Sequence, residues 1–186
     1  SVAFSPDGNQ FIVGLSDNTV GVFEAHDGAV AIALKGHEGA ILSVAYSPDG
    51  KWIATGSNDK TVKIWNREDG KLERTLTWHN GPVLALQFSP DGKTIATASS
   101  DGTVRIWSVP DGKPLQTLDG HASYVYGVAF SLDGKTIAST STDGTVCLWD
   151  VKEGVRQSCN GGFTNYIYTV AISDNLSFLA FGDESG

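Results

Sequence analysis

No run of apolar residues in this 186-residue chain approaches the roughly 20 that a membrane-spanning helix needs. A signal peptide is not expected either, because the opening residues SVAFSPDG carry neither a basic start nor an apolar block. Cysteine is scarce: Cys147 and Cys159 are the only two. Two cysteines make no disulfide framework. The expectation is a pair of thiols in a reducing compartment, cytoplasmic or nuclear, with a single bridge between them as the alternative. Positive charge is short as well, with 13 Lys and Arg against 21 Asp and Glu and a net charge of -8. Such a surface repels a phosphate backbone, so neither nucleic acid nor membrane is expected as partner. A protein or peptide with basic patches is the electrostatically easier one.

Several chemical signatures are missing. There is no phosphate-binding GxxxxGK[ST] loop, no Cys-x-x-Cys and no His-x-x-x-His. The stretch DGNQFIVGLSDN superficially resembles a calcium loop, but it lacks the alternating acidic positions and the terminal Glu. No cofactor and no metal are therefore expected. His26, in EAHDG, reads as a solvated turn residue. Helical periodicity is absent too: no segment keeps apolar residues at a 3.6-residue spacing long enough to suggest a helix.

What the chain has is glycine, 22 residues of it, and a repeat. SPDG begins at Ser5, Ser47 and Ser89, SLDG at Ser131 and SDNL at Ser173, always 42 apart. The same register aligns Phe23, Trp65, Trp107 and Trp149 at the end of T-V-x-[VIL]-[WF]. It also aligns Asp17, Asp59, Asp101 and Asp143, then Gly28, Gly70, Gly112 and Gly154, then His37, His79 and His121. Agreement of five columns without an insertion is a specific signal.

Each unit reads as four short strands. In the second, AILSVAYS (40–47), KWIATGS (51–57), TVKIWN (61–66) and KLERTL (71–76) are separated by Asp-Gly and Asn-Asp turns. A lone meander exposes two apolar faces and is not stable. Packing copies face to face about an axis covers them, which predicts an all-β propeller of four-stranded antiparallel blades.

The 42-residue period, Gly-His before a first strand (Gly36-His37, Gly120-His121) and Trp-Asp after a third (Trp149-Asp150, with Trp65-Asn66 as a variant) resemble the WD-repeat (WD40) family along the whole chain. The resemblance implies a buried His, Ser or Thr, Asp and Trp relay in each blade. By position these are His37, Ser57, Asp59 and Trp65, then His79, Ser99, Asp101 and Trp107, then His121, Ser141, Asp143 and Trp149. Both ends depart from it. The first unit has Leu15 and Phe23 in the Ser and Trp columns, and the last has Phe163, Asp183 and Ser185 in the His, Ser and Asp columns. Apolar packing is expected to hold those blades instead. Units at about 1–35, 41–77, 83–119, 125–159 and a half unit at 167–186 make about four and a half blades. A seven-bladed ring needs roughly 290 residues, so the chain reads as part of a longer protein.

A His, Ser and Asp trio invites a catalytic reading, but the trio recurs three times in structural columns, so no enzyme is expected. Function then falls to the surface. In the first strand of each unit the steady apolar columns are Ile41, Val44 and Tyr46; Val83, Leu86 and Phe88; Val125, Val128 and Phe130; and Ile167, Val170 and Ile172. Their spacing is three, then two, which predicts a β-bulge early in the strand. The flanking columns vary: Ala40 and Leu42, Pro82 and Leu84, Tyr124 and Tyr126, Tyr166 and Tyr168. The resemblance places these columns on the top face of the ring, the face most used for partners. Asn58, Ser100, Thr142 and Glu184 join that face, together with Trp78 in place of the glycine before His79. The expected function is a non-catalytic scaffold that binds a protein or peptide through this face, within a larger complex. The alternative is a sensor or targeting domain of a longer protein whose enzymatic or signalling domain lies elsewhere.

Overall fold

The computed structural model describes residues 1–173 and 179–183; the SDNL turn beyond Ser173, Glu184 and Ser185 lie outside the described residues. Eighteen strands and no helix occur among them. Blade one is β1 (Val2–Phe4), β2 (Gln10–Gly14), β3 (Val20–Glu24) and β4 (Val30–Leu34). Blade two is β5 (Ile41–Tyr46), β6 (Trp52–Ser57), β7 (Val62–Asn66) and β8 (Leu72–Leu76). Blade three is β9 (Val83–Phe88), β10 (Thr94–Ser99), β11 (Thr103–Ser108) and β12 (Pro114–Asp119). Blade four is β13 (Val125–Phe130), β14 (Thr136–Ser141), β15 (Val146–Asp150) and β16 (Arg156–Asn160). A fifth sheet holds β17 (Ile167–Ile172) and β18 (Leu179–Asp183). Within each sheet the strands pair antiparallel in sequence order, the meander that the turn spacing predicts.

The turns follow from their residues. In SPDG the amide of Gly50 donates to the Ser47 carbonyl at 2.9 Å, and Gly50 takes φ 69°, a conformation open to glycine without a Cβ clash. The serine and aspartate close the same turn: Ser47 Oγ donates to Asp49 Oδ1 at 2.6 Å, and the Trp52 amide donates to Ser47 Oγ at 2.9 Å. This explains why serine recurs at each turn's first position.

The first strands β1, β5, β9, β13 and β17 pack successively against one another, so they form the inner edge of an arc of blades. The last strands carry the exposed outer edge, and β16 is exposed along its whole length. Each apolar core lies between two blades. Ile12, Val22 and Leu34 of blade one meet Val44, Ile53 and Trp65 of blade two. Ala54, Ile64 and Leu76 meet Leu86, Ile95 and Trp107. Ala96, Ile106 and Leu118 meet Val128, Ile137 and Trp149. Each fully buried aliphatic side chain contributes about 1.5–3 kcal/mol, so the junction holds the blade. The close fit shows at Gly127, where a Cβ would come within 3.2 Å of the Thr169 Cα and the Val170 N of the next sheet.

The predicted bulge is present in all four places. Ile41 pairs with Ser57 and Ser43 with Gly56, which leaves Leu42 without a partner residue. Leu84, Tyr126 and Tyr168 are passed over in the same way. A second irregularity, opposite Phe23 in blade one and the tryptophan in the next three, passes over Ala31, Glu73, Leu115 and Gln157 on the outer strands. No apolar spacing announces it, because those strands are largely exposed.

Cys147 and Cys159 correct an expectation. They face each other on β15 and β16, with Cα atoms 4.0 Å apart and their sulfurs joined in a disulfide. Composition alone points to separate thiols. The register makes them a direct cross-strand pair, close enough for the bond. The support they gave to a reducing compartment goes with it.

Candidate functional site

The buried relay comes first, because it fixes the upper loops. In blade two Trp65 Nε1 donates to Thr55 Oγ1 at 2.9 Å. Thr55 Oγ1 lies 2.7 Å from His37 Nε2, and His37 Nδ1 lies 2.7 Å from Asp59 Oδ2. A carboxylate only accepts, so His37 carries its proton on Nδ1, and the Thr55 hydroxyl donates to the bare Nε2. Blade three repeats the chain through Trp107, Thr97, His79 and Asp101 at 2.9, 2.8 and 2.8 Å. Blade four does so through Trp149, Ser139, His121 and Asp143 at 2.7, 2.7 and 3.0 Å.

The relay hydroxyls are therefore Thr55, Thr97 and Ser139, and the placement of Ser57, Ser99 and Ser141 in that role is corrected. The reason is register. Trp65 pairs with Ile53, so Thr55 is its diagonal neighbour on the same face, whereas Ser57 is one step too far. Ser57 instead donates to the Gly39 carbonyl at 2.8 Å and accepts from the Asp59 amide at 3.1 Å, tying the loop above the strand. Ser99 bonds Gly81 and Asp101 in the same way, and Ser141 accepts from the Asp143 amide. The corrected column also accounts for the last unit. Phe163 and Phe181 take the His and hydroxyl positions, and their rings meet edge to face at 4.8 Å. In the first unit Phe11 stacks on Phe23 at 5.1 Å.

The relay's charges are settled by these bonds. Burial would raise Asp59, but hydrogen bonds from Thr61, the Glu38 amide and His37 outweigh it and bring the carboxyl down to about 2. Asp101 and Asp143 are lowered in the same way, against burial. Burial pushes His37 and His121 below 6.5, more strongly than their aspartates pull them up. The hydroxyls of Thr55, Thr97 and Ser139 belong to fully buried residues, so no substrate reaches them as nucleophiles. The described residues contain no group of three or more His, Cys, Asp or Glu side chains placed to hold a metal ion.

Above the relay, the bulged residues converge between blade four and the fifth sheet. Tyr124, Tyr126, Tyr166 and Tyr168, with Ser123 and Thr142, line a cleft of about 360 Å3. Tyr126 and Tyr168 meet edge to face at 5.1 Å with planes 88° apart, and Tyr166 lies 6.4 Å from Tyr168. Tyr124 is 52% and Tyr166 49% exposed, while Tyr126 is half-buried. Thr142 donates to Ser123 at 2.8 Å and its amide bonds the Tyr124 carbonyl, which fixes the rim. Leu42, Leu84 and Ser100 are half-buried and Asn58 exposed at the equivalent places of the earlier blades. Trp78 does not join the tyrosines. Its ring packs 5.9 Å from Trp107, under the Arg105 guanidinium at 4.8 Å, in a separate cleft with Thr75 and Pro114. No column spacing could reveal that partner, because Arg105 stands where Lys63 and Cys147 stand in the neighbouring blades.

Four-stranded meanders joined by shared junction cores and a buried relay define blades of a β-propeller. The family model for WD40 (WD domain, G-beta repeat) matches residues 1–24, 28–66, 70–108 and 112–150, and the chain belongs to that family. Each full match after the first begins at an outer strand and ends on the third strand of the next blade, so it spans one junction core. No curated protein matches the chain.

Proposed function

We propose that this chain is a non-catalytic interaction scaffold that engages a protein or peptide through its top face, with the tyrosine cleft as the anchor. WD40 repeats act as protein-interaction scaffolds in general. The observation that carries the finer reading is the exposure of Tyr124, Tyr166 and Tyr168 around one cleft, with Tyr126 and Tyr168 on positions that the bulge takes out of the core register. Tyrosine brings large contact area with a polar handle, which suits a binding hot spot. The net charge of -8 favours a partner with basic patches. The relay fits a structural role, since its hydroxyls are sealed and repeated in three blades. Membership of a larger complex, within a seven-bladed ring, is part of the same proposal.

The test is affinity purification with mass spectrometry, comparing the parent chain with Tyr124→Ala/Tyr126→Ala/Tyr166→Ala/Tyr168→Ala. With the recovered partner in hand, Tyr126→Ala or Tyr168→Ala should cost about 2 kcal/mol or more of binding while the thermal midpoint changes little. An equal loss of stability, with binding kept, would mean that the tyrosines only pack.

A further inference from the structure

A second cleft, of about 700 Å3, opens between blades one and two on the side of the SPDG turns. Gln10, Glu24 and Ile32 line it from blade one, and Trp52, Arg67 and Glu68 from blade two. The repeat explains why it is open. At the next junction Arg74, the equivalent of Ile32, reaches across and donates from Nη2 to the Pro110 carbonyl at 2.5 Å. Its guanidinium also lies 5.8 Å from the Trp52 ring centre. At the junction after that, Gln116 donates from Nε2 to the Lys152 carbonyl at 3.1 Å. The three side chains occupy one register: a Cβ added at Gly70, Gly112 or Gly154 would meet Ile32, Arg74 or Gln116 respectively. Ile32 cannot donate, so the carbonyl of Glu68, the equivalent of Pro110 and Lys152, receives no such arm.

The walls are already ordered. Arg67 donates from Nε to Gln10 Oε1 at 3.0 Å, pairs with Asp7 at 2.9 Å and lies 5.4 Å from the Tyr46 ring centre. Gln10 Nε2 in turn donates to Glu24 Oε1 at 2.9 Å. Arg67 is thus held and offset by Asp7, which leaves the carboxylates of Glu24 and Glu68 to set the charge of the opening. Lys51, the other cation there, is 3.7 Å from Asp49 with its side chain 74% exposed.

We propose that this cleft takes an arginine side chain from a partner polypeptide. The guest guanidinium would donate to the Glu68 carbonyl and to Glu24, reproducing from outside the arm that Arg74 supplies at the next junction. A planar fork with five donors suits a carbonyl and a carboxylate together better than an ammonium does. The site lies apart from the tyrosine cleft and does not depend on it.

The probe is an acetylated, amidated Gly-Gly-Arg-Gly-Gly peptide, titrated into the isotope-labelled chain and followed by amide shifts at Glu24, Ile32, Gly50 and Glu68. Saturable shifts at these residues are expected, and the lysine counterpart should bind about 10-fold more weakly. Ile32→Arg supplies the arm internally, so it should weaken the probe by about 10-fold or more while the thermal midpoint holds or rises. If that variant fails to fold, Glu24→Gln takes its place, with a weakened probe expected. Equal binding of arginine and lysine, unchanged binding to whichever folded variant is measured, or no shifts with the parent chain would overturn the proposal.

Discussion

Thr97 holds its blade together with a single oxygen, accepting from Trp107 and donating to His79. Removing that oxygen without removing volume leaves two buried ring nitrogens unpaired. Thr97→Val should therefore destabilise the chain by about 1–3 kcal/mol. Removing the indole leaves a cavity as well, and Trp107→Ala should cost about 3–5 kcal/mol. Chemical denaturation of both variants checks the order, and an unchanged midpoint for Trp107→Ala would refute the structural role of the relay. The tryptophan, histidine and aspartate were legible because each recurs alone in its column. The hydroxyl was not, since 55, 97 and 139 and 57, 99 and 141 are all Ser or Thr, two apart on the same strand face. Only the pairing of Trp65 with Ile53 tells them apart.

Strands show the same division. The inner bulge could be read from sequence because the inner strand is buried, and a spacing of three then two interrupts its apolar alternation. The outer bulge could not, because an exposed strand has no alternation to interrupt. The cysteine pair sits at a place where blades two and three keep Lys63 beside Thr75 and Arg105 beside Thr117. In blade two that pair makes only one hydrogen bond, 3.1 Å from Lys63 Nζ to Thr75 Oγ1. In blade four a covalent link fastens the otherwise exposed β16 to the buried β15. Alkylation of the unfolded, unreduced chain should label neither cysteine. Reduction should cost about 2–3 kcal/mol, the range for closing a loop of this size. Hydrogen exchange should place the loss at β16, and labelling of both thiols without reductant would contradict the bond.

For the molecule as a whole, acid is the condition that acts on every relay at once. His37 and His121 are buried and titrate below 6.5 in the folded chain. Protonating His37 would place a second N–H against the Thr55 hydroxyl, which then has only the Lys63 carbonyl, 3.5 Å away, to donate to. Below pH about 6.5 the unfolded chain therefore takes up protons that the folded chain refuses, and stability falls with pH. The aspartates act with the same sign at lower pH. Asp59, Asp101 and Asp143 lie below 3.8 when folded, Asp59 at about 2, so their contribution is complete above 3.8 and is lost as pH falls towards 2. Stability should thus be highest near neutrality and decline in two stages. Thermal unfolding at about pH 7.5, 5.5 and 3 measures both. The first decline should shrink in a His37→Gln/His121→Gln chain, compared with its own midpoint at pH about 7.5, because that chain has lost the two titrating groups. A parent midpoint that stays level from about 7.5 to 5.5 would mean that these histidines bind protons equally in both states, which a buried neutral relay does not permit.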